Sequence, residues 1–109
     1  MKKYCLALDL VDDPELIAEY EKYHQNVWPE IKQSILDSDI TNMEIYRVQN
    51  RLMMIIEADE NFSFEAKNEA DKSNPKVQEW EELMWKFQQQ LPNSKAEEKW
   101  QLMDKIFSL

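Results

Sequence analysis

The sequence predicts an α+β fold built on one antiparallel sheet. Three stretches, residues 3–11, 40–48 and 52–58, have the alternating or continuous apolar pattern that is typical of strands. Elsewhere apolar residues recur at helical spacing. A chain of 109 residues with 43% hydrophobic side chains is long enough for a single domain with a core. We therefore expect one domain in which helices cover a sheet.

The first strand, residues 3–11, is predicted to bury its bulky face. Large apolar side chains alternate along it and share that face: Tyr4, Leu6, Leu8 and Leu10. The opposite face carries the smaller residues Cys5 and Ala7, together with Asp9. Because this second face is mostly apolar, we expect it to be covered as well.

The first helical stretch is predicted to begin at an aspartate cap and to break at Pro29. Asp13 precedes Pro14, which fits the first position of a helix. The helical spacing then continues to about residue 38. Pro29 lacks the backbone N–H that a helix interior needs, so the helix should stop near Trp28 and restart with Pro29 in its first turn.

Within this stretch, Tyr20 and His24 are four residues apart, which places both side chains on one helix face. His24, the only histidine, would lie in the last turn, where the helix dipole favours a protonated imidazole. A histidine beside a phenol suits general acid–base catalysis near neutral pH. The same pattern also fits a hydrogen-bonded histidine without a catalytic role.

The second and third strands should form a hairpin through residues 49–51, with Asn50 as the left-handed residue. The third strand is apolar on both faces, as expected for a strand that is covered on both sides. Two further helices are predicted, at residues 61–71 and at 75–90, where Pro75 follows the capping residue Asn74.

The tail, residues 100–109, fits either a helix or a strand. If it is a strand, the order becomes β-α-β-β-α-α-β, a ferredoxin-like arrangement. This predicts a four-stranded antiparallel sheet with helices on one face. The other, apolar face would then need a partner, and we expect a face-to-face homodimer to supply it.

The composition excludes several classes of function. The net charge of −9 disfavours nucleic acid and anionic membranes as partners. One cysteine, Cys5, cannot form an internal disulfide or a multi-cysteine metal site. The complete absence of glycine excludes Gly-rich phosphate loops. With no secretion signal and no apolar run approaching the ~18 residues of a membrane span, we expect a cytoplasmic protein.

Four segments carry a resemblance to a known family. They are residues 19–30 (EYEKYHQNVWPE), 42–46 (NMEIY), 75–80 (PKVQEW), and the Leu-Pro pair at 91–92 followed by Trp100 and the Phe107 tail. On these segments the chain resembles, nearly end to end, the L-rhamnose mutarotases, small sugar epimerases that form dimeric α/β barrels. The pattern Tyr-x-x-x-His-x-x-x-Trp-Pro-Glu is the most specific of the matches.

The resemblance implies a single mutarotase-like domain spanning residues 1–109. Such enzymes interconvert the α and β anomers of L-rhamnopyranose, a monosaccharide, and use no metal or organic cofactor. It also implies that His24 is the proton donor, that Tyr20 contacts the sugar and that Trp80 forms part of the sugar-binding wall.

The substrate-binding region differs from the family pattern at two positions. Met43 stands where the family commonly has a second sugar-contacting tyrosine, and Glu81 where it commonly has a second tryptophan. Each change alters the polar contacts by which a site distinguishes sugars, so the substrate is open between L-rhamnose and a related deoxy-hexose. Tyr46, which shares a strand face with Glu44, is a further candidate for the pocket.

Two other functions fit the predicted fold. Cofactor-free and haem-degrading monooxygenases also use dimeric ferredoxin-like barrels, and fold alone does not determine activity. A non-catalytic sugar-binding protein is the second alternative, in which Met43 and Glu81 would mark a lost activity.

Overall fold

The computed structural model describes residues 1–95 and 98–109, and these form the predicted α+β fold. Strands and helices follow in this order: β1 Lys2–Leu10, α1 Pro14–Gln25, α2 Pro29–Asp37, β2 Ile40–Val48, β3 Arg51–Ala58, α3 Phe64–Lys72, α4 Pro75–Trp85, β4 Gln88–Gln89 and β5 Gln101–Leu102. The three long strands and the break between the first two helices agree with the sequence prediction.

The sheet is antiparallel, and β1 lies in its interior. The strand order is β2-β3-β1-β4, and β5 also pairs with β1. β1 and β3 pair along their whole length, from Lys2 opposite Ala58 to Asp9 opposite Arg51. On its other side, β1 pairs with the two-residue strands β4 and β5. The long strands β2, β3 and β1 therefore form the main part of the sheet, and the short strands β4 and β5 pair with its β1 edge.

Local capping chemistry explains where the first helix begins and ends. The Asp13 carboxylate accepts hydrogen bonds from the backbone N–H groups of Glu15 and Leu16, at 2.9 and 3.3 Å. α1 ends at Gln25 and α2 begins at Pro29, as the proline predicts. His24 therefore occupies the last turn of α1, close to the break.

The core lies on a single face of the sheet. One cluster joins the sheet to α1, α2 and α4, and its buried members are Leu10, Tyr20, Ile31, Leu52, Val77, Trp80, Met84 and Phe87. A second cluster gathers Leu6, Ile40, Ile56, Ala58 and Phe62. The strand residues of both clusters belong to the same alternating set, so the helices cover that face of the sheet.

The opposite face carries Cys5 and Ala7 of β1 beside Met53 and Ile55 of β3, all of them partly exposed. At the outer strand, the apolar side chain of Val48 is 68% exposed. The helices cover only one face of the sheet, as predicted, and the cover that the sequence predicts for this second face, a second copy of the chain, stays a prediction.

An ion pair between buried Asp9 and exposed Arg51 lies at one end of this uncovered face. Asp9 is only 4% exposed, and Arg51 holds it with two hydrogen bonds. Arg51 Nε donates to Asp9 Oδ1 at 2.7 Å, and Arg51 Nη2 donates to Asp9 Oδ2 at 3.2 Å. Two parallel N–H groups of a guanidinium match the two oxygens of a carboxylate. Arg51 therefore compensates the negative charge of Asp9 in an otherwise apolar strand.

The prediction that Asn50 is the left-handed residue of the hairpin was wrong. Gln49, with φ of 53°, adopts that conformation instead of Asn50. Asn50 is held against β1, because its backbone oxygen accepts from Leu10 N at 2.6 Å and its Nδ2 donates to Leu10 O at 3.1 Å. These tertiary bonds fix Asn50 and leave the turn geometry to Gln49.

Both later helices are shorter than predicted. α3 begins at Phe64, because Ser63 caps it by accepting from Ala66 N at 3.3 Å. α4 ends at Trp85, and the chain then returns to the sheet, where Val11 N donates to Phe87 O at 2.9 Å. The residues expected to extend α4 instead form β4.

The strand interpretation of the tail is confirmed for Gln101–Leu102, which form β5. One further backbone bond, from Met103 N to Cys5 O at 2.7 Å, continues along β1. The rest of the tail has no regular secondary structure, and Ile106 and Phe107 are 95% and 77% exposed. A helix in this segment is therefore excluded.

Candidate active site

An open cavity of about 460 Å³ lies between α1 and the hairpin of β2 and β3. This volume falls within the ~300–1,000 Å³ that is usual for small-ligand sites. Helix α1 contributes Tyr20, Glu21, His24 and Gln25, and the hairpin contributes Ile45, Tyr46, Arg47 and Leu52. The cavity thus combines a histidine, the Tyr20 phenol and a pair of opposite charges over an apolar floor.

His24 is held in one orientation by the backbone of its own helix. Its Nδ1 lies 2.9 Å from the backbone oxygen of Tyr20. A carbonyl oxygen can only accept, so Nδ1 must carry a proton and act as the donor. The other ring nitrogen, Nε2, is then the atom that can exchange a proton with a ligand.

Tyr20 lies directly against His24, with ring centroids 4.4 Å apart. It is 3% exposed, and its hydroxyl accepts a hydrogen bond from Gln88 Nε2 at 3.4 Å. Burial raises the pKa of the Tyr20 phenol, although the bond from Gln88 opposes part of this shift. Tyr20 therefore stays protonated at neutral pH and keeps its own O–H free to donate.

A cluster of aromatic side chains packs against one side of the His24 ring. Trp80 of α4 is 8% exposed, and its ring meets the His24 ring edge-on with centroids 5.7 Å apart. Trp80 also contacts Trp28 and Tyr23, with centroid distances of 5.0 and 6.4 Å. Such edge-to-face packing fixes the imidazole plane and excludes water from one side of it.

The other predicted site residues lie in three different surroundings. Tyr46 borders the cavity, but its hydroxyl donates to Glu44 Oε2 at 3.3 Å, and its side chain is 52% exposed. Met43 packs against the second core cluster and pairs with Ile56 of β3. His24, Tyr20 and Trp80 thus come together, whereas Met43 lies in a separate part of the core.

Glu81 follows Trp80 on α4 but belongs to a different environment, near charged residues of α3. Burial is the main cause that raises the pKa of the Glu81 carboxyl, and the negative charge of Asp71 adds to the increase. The positive charges of Lys99 and Lys67 act in the opposite direction. These neighbours place Glu81 on the α3 side of α4, and it does not line the cavity beside His24.

The structure adds site residues that the sequence analysis missed. Gln88 reaches Tyr20 from β4, a strand that carries no apolar signal. Glu21 and Arg47 form an ion pair across the cavity, from α1 to β2. Glu21 lies in the segment 19–30 and Arg47 directly follows the segment 42–46, but no local pattern in the sequence pairs the two residues.

The described residues contain neither a cluster of metal ligands nor a membrane-spanning helix. Within residues 1–95 and 98–109, no group of three or more His, Cys, Asp or Glu side chains is arranged to hold a metal ion. Over the same ranges, no helix has both the length and the apolar character to cross a membrane.

The fold and the cavity together define a small ferredoxin-like α+β protein with a histidine and a tyrosine at an open cavity. The family model described as L-rhamnose mutarotase matches residues 3–109. The chain belongs to this family. Membership implies a carbohydrate isomerase activity on a monosaccharide.

Two curated relatives align with almost the whole chain. A protein named L-fucose mutarotase from Xanthomonas campestris pv. campestris is 42% identical over 111 residues, which cover 100% of this chain and 89% of the relative. A UPF0734 protein from Dictyostelium discoideum is 40% identical over 114 residues, covering 99% of this chain and 90% of the relative.

Solved structures share the fold at low sequence identity. An L-rhamnose mutarotase from Formosa agariphila superposes with a TM-score of 0.72 at 19% identity, covering 100% of this chain and 99% of that one. Tetracenomycin F2 cyclase from Streptomyces glaucescens superposes with a TM-score of 0.67, also at 19% identity, covering 100% and 97%. The ferredoxin-like fold therefore occurs in proteins whose names indicate different activities.

Proposed function

We propose that this protein interconverts the α and β anomers of a deoxy-hexose, either L-fucose or L-rhamnose, by acid–base opening and closing of the ring. The observation that carries the proposal is the orientation of His24 in the cavity wall. The bond from Nδ1 to the Tyr20 carbonyl leaves Nε2 as the atom that exchanges protons. Family membership and the relative named L-fucose mutarotase support the choice of substrate class.

In the proposed reaction, ring opening needs a proton at the ring oxygen and the loss of a proton from the anomeric hydroxyl. Protonated His24 delivers its Nε2 proton to the ring oxygen, and the anomeric hydroxyl proton leaves to water. The bond between the first two carbons then rotates. Ring closure on the other face reverses both proton transfers, so the protein ends in its starting state.

The other residues of the cavity position the sugar in this proposal. The Tyr20 phenol, whose pKa burial raises above the ordinary value of 10.0, is protonated at neutral pH and donates to a sugar oxygen. The edge-on Trp80 ring keeps His24 in place. Opposite charges on Glu21 and Arg47 suit hydroxyl groups better than the flat apolar substrate of an oxygenase.

Saturation-transfer NMR on L-fucose and L-rhamnose tests the proposal. Wild-type protein should accelerate exchange between the anomeric protons, and His24→Ala should reduce the rate by about 10²-fold or more, as expected for loss of a general acid. Lys22→Ala, an exposed position on the same helix, is the matched control and should keep the full rate. Full activity in His24→Ala would refute the mechanism.

Wild-type protein without any effect on anomer exchange would refute the proposed reaction itself. In that case, sugar binding without exchange would favour the alternative of a non-catalytic sugar-binding protein. The heat released when each sugar is titrated into the protein would measure that binding directly.

We also propose that two copies of the chain assemble through the uncovered sheet face. Cys5, Ala7, Met53 and Ile55 give this face an apolar centre. A second copy would remove this surface from water, which is the usual reason for such a patch. Light scattering should give the mass of a dimer, and a monomer at micromolar concentration would contradict the proposal.

A further inference from the structure

The ion pair of Glu21 and Arg47 stands between two neighbouring cavities. Arg47 Nε donates to Glu21 Oε1 and so connects β2 to α1. Both residues line the 460 Å³ cavity of the candidate site. Both also line a second open cavity of about 330 Å³, whose wall includes Asp12 and Gln49. The pair therefore forms the wall that limits the candidate site on the side away from the aromatic cluster.

The guanidinium of Arg47 is fixed but still has donors to offer. Its Nη1 donates to Gln49 O at 2.7 Å, in addition to the bond with Glu21. A guanidinium carries five N–H donors, and these two bonds use only part of them. The side chains of Arg47 and Glu21 are 36% and 50% exposed, so a ligand in the cavity can reach both.

The pair also lies at a suitable distance from the reacting group. Glu21 and His24 are three residues apart in α1, and such neighbours have Cβ atoms about 5–6 Å apart. This separation is comparable with the distance between hydroxyl oxygens on opposite carbons of a pyranose ring. A sugar whose ring oxygen and anomeric carbon meet His24 would thus place its far side against Glu21 and Arg47.

We propose that the Glu21–Arg47 pair is the specificity-determining element of the site and that it binds the hydroxyl on the fourth carbon of the sugar. The inference rests on the proposed function. L-fucose and L-rhamnose are both 6-deoxy sugars and differ in the orientation of the hydroxyls on the second and fourth carbons. The second carbon adjoins the anomeric centre near His24, whereas the fourth lies across the ring, where the ion pair can distinguish the two sugars.

The chemistry of the pair is suited to this discrimination. Arg47 offers donors and Glu21 offers acceptor oxygens, so a hydroxyl in the correct orientation can bond to both groups. The epimer would point its hydroxyl elsewhere and would leave these groups without a partner. A site that is built to hydrogen-bond a hydroxyl rejects the wrong ligand far more strongly than an apolar pocket does.

The test compares kcat/KM for anomer exchange on L-fucose and L-rhamnose in wild type, Glu21→Gln and Arg47→Met. The ratio between the two sugars should change by about tenfold or more in Arg47→Met, mainly through a higher KM for the preferred sugar. An analogue of the preferred sugar that lacks the fourth hydroxyl should react equally well with wild type and Arg47→Met. The exposed α3 pair offers matched controls, Glu69→Gln and Lys72→Met, which should leave the ratio unchanged.

The outcomes separate the inference from the proposed function. If wild type exchanges neither sugar, the proposed function fails and this inference fails with it. If wild type is active and Arg47→Met keeps the sugar ratio within about twofold, only the specificity role is refuted. A merely structural ion pair would lower the rates for both sugars in proportion. Should Arg47→Met not fold, Arg47→Lys keeps the charge, loses the planar fork and provides the same readout.

Discussion

Tyr20→Phe removes one oxygen from the candidate site and leaves the aromatic ring in place. The ring keeps its contacts with His24 and Phe87, whose centroids lie 4.4 and 6.1 Å away. The lost bond from Gln88 is long, at 3.4 Å, and Gln88 is only partly buried. We expect a loss of about 0.5 kcal/mol, the low end of the usual range for one hydrogen bond.

Removal of the whole Tyr20 ring should have a much larger effect on stability. Tyr20→Ala deletes a side chain that is 3% exposed and belongs to the first core cluster. Such truncations typically cost about 3–5 kcal/mol. Urea denaturation, which measures the free energy of unfolding, distinguishes the two variants and shows whether Tyr20→Phe retains the fold.

Activity should respond to Tyr20→Phe more strongly than stability does. If the phenol donates to the sugar, its removal should lower kcat/KM by about tenfold, which corresponds to about 1.4 kcal/mol in the transition state. NMR exchange rates on the variant would provide this number. A variant with full kcat/KM would refute the reasoning that Tyr20 acts on the sugar, even if His24 proved essential.

The raised pKa of the Tyr20 phenol predicts a further difference at alkaline pH. Because the folded state holds this proton more tightly, the resulting stability is fully present below the ordinary phenol pKa of about 10. It is lost as pH rises through the higher folded value. Tyr20→Phe has no phenol to ionise and does not lose stability in this way. The amount by which wild type is more stable than Tyr20→Phe at pH 7 should therefore become smaller above pH ~10. A deficit that is constant with pH would contradict the assignment.

Three further predictions concern stability and are measured by thermal or urea unfolding. Glu81→Gln should raise the unfolding midpoint at pH 7, because burial disfavours the charged carboxylate. The gain should shrink as pH falls through the raised pKa of Glu81 and be lost below its ordinary value of 4.5; no gain at pH 7 would contradict the prediction. Gln49→Gly should stabilise the hairpin by about 0.5–1 kcal/mol, since glycine accepts a φ of 53° without steric cost; destabilisation would show that the Gln49 side chain matters. Asp13→Ala should cost about 1 kcal/mol through loss of the helix cap, whereas Asp13→Asn should be nearly neutral; equal effects would refute the capping role.

The parts of the fold that follow from local patterns could be predicted from the sequence. Alternation in β1 identified its buried face, and Asp13 with Pro14 located the start of α1. Pro29 placed the helix break just after His24. In each case a single residue or a regular period determines the backbone, so no knowledge of distant residues is required.

The features that the sequence analysis missed depend on tertiary contacts. Asn50 is the better left-handed residue by intrinsic preference, but its two bonds to Leu10 fix it in another conformation. Gln88 and Gln89 look like the end of a helix and become a strand because β1 offers them an open edge. A local pattern contains no information about such partners.

The residues of the candidate site also fall into two groups, those that a local pattern predicts and those that only tertiary contacts bring together. Tyr20 and His24 were identified because helical spacing alone brings them together. The ion pair between Glu21 and Arg47 joins two elements that are distant in sequence, and only the packing of α1 against β2 reveals it. Glu81 shows that neighbours in sequence need not share a site, since it adjoins Trp80 in the chain but lies in a different environment.

The interior position of β1 has a consequence for the order of folding during synthesis. β1 comes first in the chain, yet the strands that pair with it, β3, β4 and β5, are all made later. The hairpin of β2 and β3 closes over a short loop and can form as soon as it emerges from the ribosome. β1, with its apolar faces and unpaired backbone, must wait until then, and this interval is when a nascent chain is most exposed to aggregation or to chaperones.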